Sequence, residues 1–204
     1  GQRNHKSGLI PQKIIQGFEN GKALSLLVED DEALDKLVRR NDIIVSLLPW
    51  THHIIVAKAC LKHNKFMATT SYVSDDMKKL DEDARAKNLI FLNEIGLDPG
   101  IDHMSAMKII DKVHDEGGKV KHFYSICGGL PAPDDNDNPF GYKFSWSPRG
   151  VVLASRNAAR FLENGKEVQI KGEDLFSNYR IESIGGIGNF EVYPNRDSVP
   201  YKEI

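Results

Sequence analysis

Short apolar runs alternate with segments of helical spacing through the first half of the chain. The runs at residues 22–28, 42–48, 66–69 and 89–92 predict four strands, and the second of them is apolar enough to indicate a buried parallel strand that Pro49 ends. The segments between them predict three helices. The first has Asp30 and Asp31 at its start and an apolar face formed by Leu34, Leu37 and Val38, and the second has an apolar face formed by Ile54, Val56, Ala57, Cys60 and Leu61. The third is capped by Ser74 and runs to about Ala86.

This order of elements predicts right-handed βαβ units and therefore a parallel sheet. Sheets of this kind bind ligands at the carboxyl ends of their strands. The residues expected there are 48–50, 70–72 and 93–98, all of which include polar or turn-forming types. The sequence therefore places its unusual residues where the architecture predicts a site.

The second half has a different pattern, and the change near Gly100 predicts a domain boundary, with one domain at 1–100 and another at 101–204. An amphipathic helix is expected first, followed by a strand with loose alternation, a long loop rich in Pro, Gly, Asp and Asn, a second helix and three short strands. The expected ranges are 102–116, 119–127, 128–142, 150–164, 167–170, 179–184 and 189–193. Together these elements indicate an α/β parallel sheet with a second α+β domain.

Composition narrows the class of protein. The chain has 204 residues, is 40% hydrophobic and has a formal net charge of -2, which argues against nucleic acid or a membrane surface as the main partner. No apolar run approaches the ~20 residues of a membrane span, and the first ten residues do not resemble a secretory signal. Two cysteines exclude a disulfide scaffold, so we expect a soluble protein of a reducing, cytosol-like compartment.

Three stretches carry candidate chemistry, and each allows a structural interpretation as well. Asp98 lies in a Gly- and Pro-containing turn that either only joins a strand to a helix, which Asp102 can cap, or places the carboxylate beside a ligand. Cys127 is either an inert thiol or a catalytic one, and Arg196 either lies in a solvated turn or binds a carboxylate through two parallel hydrogen bonds. Seven histidines show no persuasive metal-ligand spacing, so we expect no metal site.

Several blocks, in order along the chain, closely resemble the glutamate-forming saccharopine dehydrogenase (saccharopine reductase) family. The blocks are SLLP at 46–49, TSYVS at 70–74, NEIGLDPGIDH at 93–103, CGGLPAP at 127–133, NP at 138–139, YKFSWS at 142–147 and YPNRDS at 193–198. The resemblance implies a Rossmann domain with an α/β substrate domain. It also implies an enzyme of lysine metabolism that interconverts saccharopine with glutamate and aminoadipate semialdehyde by hydride transfer at an imine carbon.

The resemblance also implies the site residues and the cofactor, which is NADP or NAD. Cofactor contacts would come from Leu47, Thr70, Leu97, Asp98, Pro99 and Ser147, and contacts to saccharopine from Ser71, Tyr72, Asp98 and Arg196. Asp98 and Cys127 would lie near the reacting carbon. A homodimer is one option for assembly, and the expected location is cytoplasmic, or mitochondrial if the chain is part of a bifunctional lysine-degrading enzyme.

Two departures from the family qualify this interpretation. The first βα unit with its glycine turn is missing or unrecognisable, because no G-x-G-x-x-G occurs, and the chain stops soon after Arg196. We therefore expect a truncated Rossmann-type sheet from the central part of a longer enzyme. The alternatives are a catalytically incomplete binding or assembly module, and a related reductase that forms carboxyspermidine, although the YPNRDS and CGGLPAP blocks favour saccharopine.

Overall fold

The computed structural model of the protein describes residues 19–145 and 148–203. It divides into two compact units, the described residues up to Lys108 and those from Ile109 onward. The first unit contains α1 (Asp31–Arg39), β1 (Ile43–Ser46), α2 (His53–His63), β2 (Phe66–Thr69), α3 (Asp75–Lys78), α4 (Asp81–Ala86) and β3 (Phe91–Leu92). Helix α5 (Ile101–Asp115) includes the division, and α6 (Pro148–Ala154), β4 (Ala159–Glu163), β5 (Lys166–Ile170), β6 (Arg180–Ile184) and β7 (Gly188–Val192) follow.

Local capping signals define the helices of the first unit. The Asp30 carboxylate accepts a hydrogen bond from the Ala33 amide at 3.1 Å, and α1 carries acids in its first turn and bases in its last. Ser74 likewise accepts from the Met77 amide at 3.2 Å. The helix expected from Ser74 to about Ala86 is interrupted, however, because α3 ends at Lys78 and α4 begins at Asp81.

The three strands of the first unit form a parallel sheet in the order β1-β2-β3. Ile43 pairs with Phe66 and Ser46 with Thr69, while Ala68 pairs with Leu92. The strands therefore end together along one edge of the sheet, which confirms the predicted parallel sheet and α/β class.

Helices α1 and α2 and the sheet enclose the core of the first unit. The core contains Val28, Leu34, Val38, Val56, Ala57, Ala59, Cys60, Met67 and Met77. Burial raises the pKa of the Cys60 thiol to about 11, so this thiol is a small apolar core group rather than a nucleophile. Ile43 and Val45 remain 62% and 63% exposed, so the prediction that β1 is a buried strand is wrong for this face.

The predicted strand at residues 22–28 is also wrong, since this stretch is irregular and ends in a turn. Leu24 and Leu27 are 58% and 73% exposed. An apolar run becomes a strand only when a neighbouring strand satisfies its backbone hydrogen bonds. Within residues 19–145 and 148–203, no strand pairs with this run.

The second unit is built around two antiparallel hairpins. Strand β4 pairs with β5, and β6 pairs with β7. The helix expected over 150–164 is wrong beyond Ala154, because Asn164 and Gly165 have φ angles of 52° and 77° and form the turn between β4 and β5. Asn-Gly between two runs that contain alternating apolar residues is a strong hairpin signal, and it outweighs the helical spacing here.

The strand expected at 119–127 does not form, because no described strand pairs with this exposed stretch. The later strands occur close to their predicted positions, at β5, β6 and β7. The second unit is thus the predicted mixture of helix and strand. Among the described residues, no helix combines the length and the apolar character that crossing a bilayer requires.

Candidate functional site

The carboxyl ends of the three parallel strands bring most of the predicted first-unit site residues to one edge. Leu47 follows β1 and is 73% exposed, and Thr70 follows β2 and is also exposed. Leu97, in the loop after β3, is 67% exposed. Apolar surface left open beside polar loop residues is suited to contact with a ligand that has both characters.

Tyr72 and Asp98 form a direct pair in this edge. The Tyr72 hydroxyl donates a hydrogen bond to Asp98 Oδ1 at 2.9 Å, joining the loop after β2 to the loop after β3. Both residues are exposed, so the pair lies at the surface. The family resemblance implies that both residues touch a ligand, which stays a prediction; the structure shows that they contact each other.

Two glycines shape the loop that carries Leu97, Asp98 and Pro99. Gly96 donates to the Pro99 carbonyl at 2.8 Å and accepts from the Ile101 amide at 2.9 Å. Gly100 has a φ angle of +148°, and a Cβ there would lie 2.2 Å from the Gly96 oxygen. The Asp98-Pro99 bond is cis; Pro99 is buried and Asp98 is exposed.

Glu94 holds the loop on both sides of Tyr72. Its amide donates to the Ser71 carbonyl at 3.1 Å, and its carboxylate accepts from the Val73 amide at 3.0 Å. Glu94 has a φ angle of 59°, a conformation that costs a residue with a side chain on the order of 1–3 kcal/mol. The sequence analysis missed this residue, because a left-handed glutamate has no signature in a single sequence.

A buried histidine connects the ends of β1 and β2. His53 lies at the start of α2, and its Nδ1 is 2.8 Å from Ser46 Oγ. Its Nε2 is 2.8 Å from Ser71 Oγ and 3.0 Å from Thr69 Oγ1. Burial lowers the pKa of His53, with a smaller contribution from the charge of His52. The sequence analysis considered this residue only as a metal ligand. The signal that could have identified it is a histidine on a helix that begins just after a strand end.

The Asp102 side chain stabilises the same loop rather than capping α5. Its Oδ1 accepts from the Gly100 amide at 2.8 Å and lies 2.7 Å from His103 Nδ1. Burial opposes ionisation, but these hydrogen bonds outweigh it and lower the pKa of Asp102. Asp102 was predicted to cap the helix that follows; instead it lies inside α5 and holds the glycine turn that precedes it.

The second unit carries the other predicted site residues. Cys127 is exposed in an irregular stretch, and Ser147 lies outside the described residues. Arg196 has a φ angle of 51°, and its carbonyl accepts from the Arg160 amide at 2.8 Å. That Arg196 and Asp98 contact the same ligand, as the resemblance implies, stays a prediction.

Arg160 forms an ion pair with Asp197, the residue that follows Arg196. Its guanidinium donates to Asp197 at 2.9 Å and to Glu167 at 2.7 Å. The hydrogen bond from Arg160, supported by one from Gln169, lowers the pKa of Glu167 to about 2. The turn that follows Arg196 is therefore held in part by the pair of Arg160 and Asp197.

An open cavity of about 300 Å³ lies beside this turn. The charged residues that line it are three bases, Arg160, Lys171 and Arg196, and one acid, Asp197. Two of these bases have acidic partners, because Arg160 pairs with Asp197 and Glu167, and Lys171 lies 3.8 Å from Glu173, so the charge around the cavity is mixed. Within the described part of the chain, no group of three or more His, Cys, Asp or Glu side chains is placed to hold a metal ion.

Two family models match the chain. The "Saccharopine dehydrogenase NADP binding domain" model matches residues 11–92, and the "Saccharopine dehydrogenase C-terminal domain" model matches residues 96–204. The two matches meet in the loop after β3, which holds Asp98 on the side of the C-terminal model.

Individual relatives agree with these matches. The chain is 52% identical over 192 residues to the NADP-dependent, L-glutamate-forming saccharopine dehydrogenase of Schizosaccharomyces pombe, covering 94% of this chain and 43% of the relative. It is 44% identical to the mitochondrial alpha-aminoadipic semialdehyde synthase of Rattus norvegicus, covering 86% of this chain and 19% of that protein. The apo structure of the histidine-tagged, L-Glu-forming saccharopine dehydrogenase from Saccharomyces cerevisiae superposes with a TM-score of 0.84 at 46% identity, covering 94% of this chain and 43% of the other.

Replacing Gly100 by alanine should destabilise the protein by at least about 1 kcal/mol, because the new Cβ would collide with the Gly96 backbone and residue 100 would have to leave its φ of +148°. Urea denaturation followed by circular dichroism measures this change. Gly185→Ala is the matched control, since a Cβ there meets no atom within 4 Å. Equal stability of the two variants would contradict the tight loop geometry.

The free energy of unfolding should fall as the pH drops below about 6.5, the ordinary pKa of histidine. Folded His53 resists protonation because its pKa is lowered, whereas His53 in the unfolded chain takes up a proton, so acid favours unfolding. Denaturation midpoints at pH 7.5 and 5.5 should differ less for His53→Gln than for the parent. The exposed-site variant His114→Gln should keep the parental difference, and a parental difference in His53→Gln would contradict the assignment.

Proposed function

The chain belongs to the saccharopine dehydrogenase family, and from that premise we propose that its protein interconverts saccharopine with glutamate and aminoadipate semialdehyde. The observation that carries the proposal is the match of both family models at the loops that hold Tyr72, Asp98 and Arg196. The chain spans 43% of the length of the fungal relative, so the activity itself needs a direct test.

NADP is the cofactor that the first unit fits best. The matched model describes an NADP-binding domain. The strand-end loops expose Leu47, Thr70 and Leu97, and in the loop after β3 the close packing of Gly96 and Gly100 leaves no room for a side chain at position 100. When bound, the cofactor supplies or accepts the hydride at the carbon of the substrate imine. The protein's contribution is to orient this carbon and to exclude competing reactions. Pro99 and Ser147 are proposed as further cofactor contacts.

The charged groups of the substrate are proposed to bind residues of opposite charge. Saccharopine has three carboxylates and a secondary amine. Arg196, which lines this cavity, is proposed to bind one carboxylate, and Ser71 and Tyr72 are proposed to contact the substrate. Asp98 is proposed to lie beside the amine nitrogen, with its orientation fixed by the Tyr72 hydroxyl, and Cys127 to lie near the reacting carbon.

The proposed cofactor and substrate contacts suggest a separate role for each part of the chain. We infer that residues 1–100 contribute to cofactor binding and residues 101–204 to substrate binding. A cytoplasmic location is proposed for a protein of the fungal type, and a mitochondrial one for a bifunctional protein such as the rat relative, whose name includes that organelle. Homodimer formation stays a prediction that sedimentation analysis would test.

A binding or assembly module is the second candidate function. The observation that favours it is that this chain spans 43% of the fungal relative's length, and within that span there is no G-x-G-x-x-G, the turn whose amides hold a dinucleotide pyrophosphate. The two candidates make different predictions about reduced NADP: a dehydrogenase produces it from NADP when saccharopine is added, and a module does not.

Isothermal calorimetry with saccharopine tests the proposal directly. We expect heat of binding for saccharopine and little for citrate, a control with three carboxylates but no amine to meet Asp98. Absorbance of reduced NADP, followed after saccharopine and NADP are added, then separates the enzyme from the module. Absence of saccharopine binding would contradict the proposed function.

Substituting Arg196 by alanine should weaken saccharopine binding by about 2 kcal/mol, because a charge-assisted bidentate contact is lost. Affinity for reduced NADP should stay nearly unchanged. Arg39→Ala, which removes an exposed guanidinium from α1, is the control for a general change of charge. If Arg196→Ala lowered both affinities equally, Arg196 would be a structural residue.

A further inference from the structure

Arg160 lines the same cavity as Arg196, but the proposed substrate contacts give it no part. It lies on β4, and its two terminal nitrogens donate to Glu167 at 2.7 Å and to Asp197 at 2.9 Å. These two carboxylates balance the positive charge of Arg160 and hold its guanidinium between them. A ligand carboxylate would therefore have to compete with two protein carboxylates for this side chain.

The backbone of Arg160 contacts the same turn as its side chain. The Arg160 amide donates to the Arg196 carbonyl at 2.8 Å, and the Arg160 carbonyl accepts from the Ser198 amide at 2.8 Å. The two bonds form an isolated parallel bridge between Arg160 and Asp197. One residue of β4 thus contacts three consecutive residues, 196–198, through its backbone at both ends and its guanidinium in the middle.

The turn at 196–198 depends on such contacts because Arg196 is left-handed. Its φ angle is 51°, and a residue with a side chain keeps that conformation only where its surroundings impose it. Both oxygens of Asp197 are fixed, since Oδ2 accepts from Arg160 and Oδ1 accepts from the Val199 amide at 3.0 Å. If this carboxylate were released, residue 196 could return to the common right-handed or extended conformations, which direct its side chain differently from the flanking backbone.

We propose that Arg160 is a positioning residue: by binding Asp197 it fixes the turn at 196–198 and so keeps the Arg196 guanidinium at the cavity, where it binds a carboxylate. Arg160 acts on the ligand through Arg196 and not through its own charge. The carboxylate ligand rests on the proposed function, whereas the hold on the turn rests on the contacts alone.

Two variants that change the charge in opposite directions test this role. Arg160→Met removes a positive charge and Asp197→Asn a negative one, and each disrupts the contacts that hold the turn, because the amide nitrogen of asparagine cannot accept a hydrogen bond. Positioning predicts that both variants lower saccharopine affinity about fivefold in calorimetry. An effect of charge alone would raise the affinity in Asp197→Asn, and that result would overturn the proposal.

Glu167→Gln is the matched control for Asp197→Asn. It makes the same change from carboxylate to amide at the other partner of Arg160, but it leaves the contact with Asp197 in place. Saccharopine affinity should stay within about twofold of the parent. A loss equal to that of Asp197→Asn would overturn the proposal, because the turn contact would then have no special part.

A double-mutant cycle tests whether Arg160 acts through Arg196. In a chain that already carries Arg196→Ala, the further change Arg160→Met should alter the remaining saccharopine affinity by less than about twofold, since the residue that Arg160 positions is gone. Losses that add in full would mean that Arg160 contacts the ligand itself, and the positioning role would be wrong.

Amide hydrogen exchange, followed by NMR without any ligand, tests the hold on the turn. The Ser198 amide should exchange at least about fivefold faster in Arg160→Met and in Asp197→Asn than in the parent, and at the parental rate in Glu167→Gln. The paired amides of β6 and β7 should keep their rates in all three variants, which shows that the second unit stays folded. Unchanged exchange at Ser198 in the first two variants would overturn the proposal.

The two kinds of measurement separate the positioning role from the proposed function. If the unmodified chain does not bind saccharopine, the proposed function fails and the carboxylate role of Arg196 fails with it, but the exchange rates still decide whether Arg160 holds the turn. If saccharopine binds equally well to the parent, Arg160→Met and Asp197→Asn, the proposed function stands and the positioning role is wrong.

Discussion

In-register pairing of the three parallel strands is the constraint on which the first unit depends. Main-chain hydrogen bonds align Ser46 with Thr69, and the sheet continues to β3, so the chain leaves all three strands at the same edge. The polar loops converge there because of this alignment. His53 and Glu94 then connect neighbouring loops, and Tyr72 contacts Asp98 because both loops start from aligned strand ends. A shift in register would separate these groups without changing any of them chemically.

Elements governed by short-range signals were predictable from the sequence. Asp30 and Ser74 begin helices because their side-chain oxygens reach amides three residues later, a contact that the local sequence fully specifies. The stretches 22–28 and 119–127 have apolar residues suited to strands but no described strand beside them, and pairing of that kind depends on distant residues. At Asn164 and Gly165 a local signal was available, since this dipeptide favours the hairpin turn over a continued helix.

The candidate site shows the same division between local and long-range information. Family resemblance identified Tyr72 and Asp98 individually, but no single sequence shows that a tyrosine 26 positions away donates to that aspartate. His53 and Glu94 act through contacts 18 and 21 positions apart, which only the folded sheet brings together. In the second unit, Asp197 accepts a hydrogen bond from Arg160, 37 positions earlier, a contact that no local sequence signal indicates.

The left-handed conformation of Glu94 affects the entropy of binding. Because backbone and side chain of one residue fasten Ser71 and Val73 together, the intervening tyrosine is already confined before a ligand arrives. Ordering a mobile loop consumes part of the free energy that contacts provide, and here much of that ordering takes place when the protein folds. The strain accepted during folding thus lowers the free energy that any ligand at this edge would have to spend on ordering the loop.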